Sequence, residues 1–224
     1  MAKVKAVALG LLLLGLLSST APAMASPDIA KWSRVSIPTD GGAGDWVLAL
    51  DSDVQHLSMA IDGTLYAYGK GLSYTLYKSV DEGYSWSAMG KVEDAIVALA
   101  TAPDDANVVY YATSSHVYES TDGGESFLPL PLNPGGAGSN NIEITSLDVA
   151  KDFAEPTTNI IAVGTRDKDK DKFGGVYLLN AAHLFAWTDT ELGNYDVYAV
   201  AFSPNYPDDG QLVAVVTDEV DTIV

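Results

Sequence analysis

The chain has 224 residues, 47% of them hydrophobic and 19% charged, with no cysteine and a formal net charge of −18. That is enough chain for a sizeable core, and the missing cysteines exclude a disulfide framework, so the core alone must hold the fold. Thirty acidic against 12 basic residues make a surface that repels nucleic acid and anionic membranes and tolerates cations such as Ca²⁺, with solubility the plainer consequence.

Residues 1–25 read as a secretory signal peptide. Lys3 and Lys5 give a basic start, Ala6 to Leu17 is an almost unbroken apolar run, and Ala23-Met24-Ala25 supplies small residues before a cut at Ser26. An uncleaved anchor is the alternative. Lipidation needs a cysteine, and no later stretch is long and apolar enough to span a bilayer. Cleavage leaves 30 acids against 10 basic residues, a net of −20. The expected location is extracytoplasmic, secreted or at the cell surface.

Residues 26–45 form a leader in which Trp32-Ser33-Arg34-Val35 resembles Trp86-Ser87-Ala88-Met89. It reads either as a strand that completes a distant sheet or as plain extended chain. A first repeat spans 46–90. Trp46–Leu50 and Leu57–Ile61 are strand-like, Asp62-Gly63 is a hairpin turn, and Thr64–Tyr68 follows. A second spans 91–132, with Ala95–Ala100 as a continuous apolar strand expected to be buried on both faces near an axis. A third spans 142–193, where Ile144–Val149 and Asn159–Thr165 are strands. The fourth, 194–224, holds Val197–Pro204 and Leu212–Thr217 and ends before any third strand is expected. Thr113, Thr165 and Thr217 fall 52 residues apart, which predicts equivalent strand ends.

The repeats carry a shared motif. Ser79-Val80-Asp81-Glu82-Gly83-Tyr84-Ser85-Trp86 and Ser120-Thr121-Asp122-Gly123-Gly124-Glu125-Ser126-Phe127 both read S-x-D-x-G-x-S-aromatic, start 41 residues apart, and follow short strands. Ser79, Asp81, Ser120 and Asp122 can accept hydrogen bonds from nearby N–H groups, Gly83 and Gly124 suit positive φ, and Trp86 and Phe127 bring apolar bulk to the next strand. The motif makes a self-locking turn and needs no ligand. Reading Asp81 and Asp122 as catalytic acids is the competing view. In the third repeat the motif has decayed to Ala181–Phe185.

This pattern resembles the Asp-box, or BNR repeat, of bacterial sialidases, sortilin-type receptors, xyloglucanase-type glycosidases and propeller-shaped photosystem II assembly factors. The resemblance implies an all-β fold: a partial β-propeller of about three and a half four-stranded antiparallel blades. It also implies that the turns lie away from any ligand site. Because propellers close with four to eight blades, the expectation is the N-terminal part of a longer protein, or a partial ring completed by self-association.

No chemistry-bearing constellation emerges, so no catalytic, cofactor-binding or metal site is assigned. Asp167-Lys168-Asp169-Lys170-Asp171-Lys172 opens like a calcium loop, but Lys172 and Leu178 stand where such a loop wants Gly and Glu, and it reads as a solvated hairpin tip. His56, His116 and His183 have no ligand spacing. Sialidases of the family grip a carboxylate with three arginines, whereas this chain has only Arg34 and Arg166. A glycosidase needs two carboxylates about 5–10 Å apart, and Asp51, Asp53 and Asp148 lie near inner strands, each read as solvated. The expected function is a noncatalytic, exported module that binds a protein or a polysaccharide. The alternatives are a xyloglucanase-like glycoside hydrolase and a structural surface-layer component.

Overall fold

The computed structural model describes residues 53–70, 75–89, 92–139, 141–152, 154–155, 158–183 and 185–224. The expected signal peptide, the leader with Trp32–Val35, the strand Trp46–Leu50 and Asp51 lie outside the described residues.

Four antiparallel sheets follow one another along the chain, and within each the strands pair in chain order. The first comprises β1 (Asp53–Met59), β2 (Leu65–Lys70), β3 (Leu76–Ser79) and β4 (Ser87–Ala88). The second comprises β5 (Ala98–Thr101), β6 (Val109–Ala112), β7 (Val117–Ser120) and β8 (Leu128–Pro129). The third comprises β9 (Ile142–Lys151), β10 (Asn159–Asp167), β11 (Gly175–Asn180) and β12 (Thr188–Asp189). The fourth comprises β13 (Asp196–Phe202), β14 (Leu212–Thr217) and β15 (Thr222–Ile223). A four-residue helix, α1 (Tyr206–Asp209), occupies the expected Asn205–Gly210 turn and ends on Gly210 at φ 60°.

Local chemistry explains the hairpins. At the β1–β2 turn, Asp62 Oδ1 accepts the Thr64 N–H at 2.9 Å and Gly63 takes φ 88°, which a side chain would oppose. The outermost strands β4, β8 and β12 are two residues long, which keeps the sheet edges short.

In the first three sheets the second strand, rather than the first, is buried on both faces, whereas β14 in the fourth is only partly covered. In β6, Val109, Tyr110, Tyr111 and Ala112 have no exposed surface. Tyr110 and Ala112 pack toward the third sheet, and Val109 and Tyr111 toward the first. The expected doubly buried run Ala95–Ala100 therefore sits elsewhere. Its strand starts at Ala98 and is only partly covered, because one edge of that strand has no ladder partner.

Side chains join one sheet to the next. Ser58 and Thr101 hydroxyls meet at 3.2 Å, and Thr101 Oγ1 donates to the Met59 carbonyl at 3.0 Å. Tyr66 Oη donates to the Ala106 and Gly123 carbonyls at 3.1 and 3.3 Å, and Lys78 Nζ to Gly123 at 3.2 Å. Burial pushes the Tyr66 phenol up to about 12. Thr145 Oγ1 donates to the Val197 carbonyl at 2.6 Å, and Trp187 Nε1 to Pro131 at 2.7 Å.

The fourth sheet departs from expectation twice. It has a short third strand, β15, where none was expected. Its threonine is also one place out of step. Thr165 pairs with Ile144 and Val216 with Val197. Ile144 and Val197 each pack into a cluster shared with the preceding sheet, so Val216, not Thr217, is the counterpart of Thr165. Both ladders carry a one-residue shift at this point, so the offset comes from hairpin length: Thr165 follows its partner Ile144 by 21 residues, Val216 its partner Val197 by 19.

Candidate functional site

The two S-x-D-x-G-x-S-aromatic turns have nearly the same geometry. Ser79 Oγ donates to Asp81 Oδ1 at 2.8 Å and accepts the Gly83 N–H at 2.9 Å. Asp81 Oδ1 accepts the Ser85 N–H at 2.8 Å, and Oδ2 accepts Ser85 Oγ at 2.6 Å. In the second turn, Ser120 Oγ to Asp122 is 2.7 Å and Gly124 N–H to Ser120 Oγ is 2.8 Å. The Ser126 N–H and Oγ reach Asp122 at 3.0 and 2.5 Å. Both Asp carboxyls fall below the usual range, first through the serine hydroxyl and then through the backbone N–H. Trp86 Nε1 donates back to Gly83 at 3.1 Å, and Phe127 lies edge-on to Tyr111 at 4.7 Å.

Each turn places two consecutive residues at positive φ: Glu82 and Gly83 in the first, Gly123 and Gly124 in the second. In the decayed third motif, Asn180 takes over the anchoring: its Oδ1 accepts the Ala182 N–H at 2.8 Å and its Nδ2 donates to Asp152.

These turns and a cleft formed by described residues lie at opposite ends of the sheets. Leu65 pairs with both Met59 and Ser79, so the first turn is at the end where the inner strand finishes. The cleft lies where inner strands begin. One lobe, about 270 Å³, is lined by Val97, Ser114, Glu143, Ile144, Thr145, Arg166 and Tyr198. A second, about 340 Å³, shares Ser114 and Glu143 and adds Ser115, Ser139, Asn141 and Lys168 among its walls.

Register assembles its charges. Arg166 stands directly opposite Glu143 on the β9–β10 ladder. Its Nε and Nη2 both reach Glu143 Oε1 at 2.5 Å, while Lys168 Nζ reaches Oε2 at 2.5 Å. Burial pushes the Glu143 carboxyl up, but hydrogen bonds from Lys168 and Arg166 outweigh it and hold the carboxyl below its usual range. The Arg166 guanidinium lies 5.9 Å from the centre of the Tyr198 ring, and half of Tyr198 is exposed.

Of the acids singled out in the sequence, Asp53 and Asp148 line neither lobe. Asp53 is exposed on β1. Asp148 is not solvated: its Oδ2 accepts the Phe202 N–H of the next sheet at 2.7 Å, and its Oδ1 accepts the Val149 N–H at 2.9 Å. Asp167, expected at a solvated tip, is buried. Its N–H donates to Asp196 Oδ1 at 2.9 Å and its Oδ1 accepts the Asp169 N–H at 2.8 Å. Lys172 pairs with Asp169 at 2.8 Å. His56 lies beside Tyr68, His116 Nδ1 meets Ser115 Oγ at 2.7 Å, and His183 meets Glu155 at 3.3 Å. Among the described residues no group of three acids, histidines or cysteines is placed to hold a metal ion.

Glu143 escaped the sequence reading because only strand register sets it opposite Arg166, and Tyr198 because only the packing of the fourth sheet against the third brings its ring there. Opposite charges 23 residues apart, just outside the strands read at Ile144–Val149 and Asn159–Thr165, were the available signal.

No family model matches the chain, and no curated protein does. Among solved structures, it is similar to an ancestral GH74 enzyme, with a TM-score of 0.51 and 21% identity over 82% of this chain. It is also similar to YCF48 bound to D1 peptide (TM-score 0.49, 16% identity, 76% of this chain) and to the GH74 enzyme of Niastella koreensis (0.49, 18%, 74%). The chain spans 23% of the first structure's length and 49% of the second's. Identities this low speak to fold alone, and the fold is an all-β partial β-propeller of four successive antiparallel sheets.

Proposed function

We propose that the chain is an exported, noncatalytic Asp-box propeller module that binds a protein or polysaccharide outside the cytoplasm through the cleft around Glu143, Arg166 and Tyr198. The observation that carries this reading is the state of Glu143. It is the one carboxylate among the described residues lining the two lobes, and it is held ionised between two cations. Glycoside hydrolysis asks for two carboxylates, one of them protonated at working pH. A carboxyl depressed by two cations is unsuited to donating that proton. Asp148, nearby in β9, spends both oxygens on backbone N–H groups. The half-exposed Tyr198 ring and the Ser114 hydroxyl suit binding. Export rests on the basic, apolar and small-residue segments of residues 1–25.

The test has two arms. Purified protein is assayed for reducing-sugar release on plant and bacterial glycans, and for retention on the same glycans and on extracytoplasmic proteins. Retention without release supports the module. Release that disappears in Glu143→Gln establishes the glycoside hydrolase alternative instead.

A further inference from the structure

We infer that the cleft takes a single carboxylate-bearing sugar, a uronic acid carried on an otherwise neutral glycan chain. The inference rests on the binding-module reading and goes further by naming the ligand chemistry.

The first argument is donor counting. A guanidinium has five N–H donors and an ammonium three. Arg166 directs Nε and Nη2 to Glu143 and lies against the Tyr198 ring, and Lys168 directs one contact to Glu143 Oε2. Donors remain on both, and 38% of the Arg166 side chain and 54% of that of Lys168 are open to solvent. Two cations against one anion leave the lining with a net charge of +1 in a chain whose total is −18. A single carboxylate can therefore be met by charge-assisted bonds. A polyanion would meet the repulsion of the rest of the surface.

The second argument is the remaining lining. Several of the polar lining groups already bond within the protein, Thr145 Oγ1 and Ser139 Oγ donating to the Val197 and Gly136 carbonyls, Asn141 Nδ2 to Asp169, and Ser115 Oγ meeting His116 Nδ1, so they meet a ligand chiefly as acceptors, which suits the O–H donors of a sugar. Tyr198 presents a half-exposed ring on which a pyranose face can pack. An extended peptide would instead look for a free strand edge. Here β9 is an edge strand, but beside the cleft its Ile144 N–H is already taken by the Ser114 carbonyl at 2.8 Å.

Glu143 then acts as an internal competitor for the two cations, which gives the inference its discriminating variant. The probes are a xylo-oligosaccharide bearing one glucuronic acid branch, the same molecule with that carboxylate reduced to the alcohol, and polygalacturonate. Binding is measured by calorimetry at low salt. The acidic branch is expected to bind about tenfold more tightly than its reduced twin, the scale of one charge-assisted bond at a partly exposed site. Arg166→Gln is expected to erase that preference. Glu143→Gln is expected to strengthen acidic binding severalfold, a gain that loss of structure cannot mimic. Equal affinity for the acidic and reduced probes overturns the inference while leaving a glycan-binding module standing. So does tighter binding of polygalacturonate. Binding of none of the three probes, with a protein retained in the capture assay above, overturns it in favour of a protein partner.

Discussion

Replacing Asp148 by alanine removes the acceptor that holds the Phe202 N–H across the boundary between the third and fourth sheets. Phe202 is 9% exposed, and a buried N–H left without an acceptor costs about 1–3 kcal/mol. Part of this is returned, because burying the carboxylate was itself unfavourable: burial raises the Asp148 carboxyl more than the Phe202 and Val149 N–H groups lower it. The expected net loss is about 1–2 kcal/mol, or a fall in Tm of about 3–6 °C for a unit of this size. Asp148→Asn keeps an amide oxygen and is expected to lose less.

The pH dependence has a definite sign. A carboxyl raised in the folded state is ionised at a cost to folding above its folded value. That cost fades as pH falls toward the unfolded value. Asparagine carries no such cost. Wild type is therefore expected to gain on Asp148→Asn as pH falls through this window. Urea unfolding at pH 7 and near pH 4 reads both effects, and hydrogen exchange at Phe202 reads the local one. If Asp148→Ala matches wild type in stability and in Phe202 protection, the side-chain link between these sheets is not what joins them.

Ser120→Ala leaves the buried Gly124 N–H without its acceptor and is expected to cost about 1–3 kcal/mol in thermal or urea unfolding. Asp81 and Asp122 are both depressed. Their contribution is present above the unfolded carboxylate value and is lost as pH falls through the lower folded values. The double variant Asp81→Asn/Asp122→Asn is expected to be less stable at neutral pH and to show a shallower acid transition by circular dichroism. Gly164→Ala would set a Cβ 2.5 Å from Ser146 Oγ and 2.6 Å from Val197 Cγ1, between the third and fourth sheets. The expected cost is about 1–3 kcal/mol, with faster exchange in β13.

The repeat was legible because it is written locally. A serine, an aspartate and a glycine at fixed spacing close a turn whose partners lie within four residues, so eight residues carry the whole argument. The fold class followed from two copies of that turn after strand-like runs. What joins one sheet to the next was not legible. Asp148 reads as one more acid in an acidic chain until Phe202, 54 residues away, is placed against it. The cleft was hidden for a related reason. A register shift between Gly164 and Thr165 decides that Arg166 faces Glu143, and no periodicity announces a one-residue bulge. The misplaced Thr217 has another origin, a β13–β14 hairpin two residues shorter than that of β9 and β10.

Because neighbouring sheets meet through packing and side-chain bonds and share no common ladder, each behaves as a page bound to the next by stitches. Stability then accumulates pairwise along the chain, as it does in solenoids, and weakening one seam should release the pages on one side while those on the other stay shut. A chain of this design is expected to melt in stages, and its staging should move with whichever seam is cut.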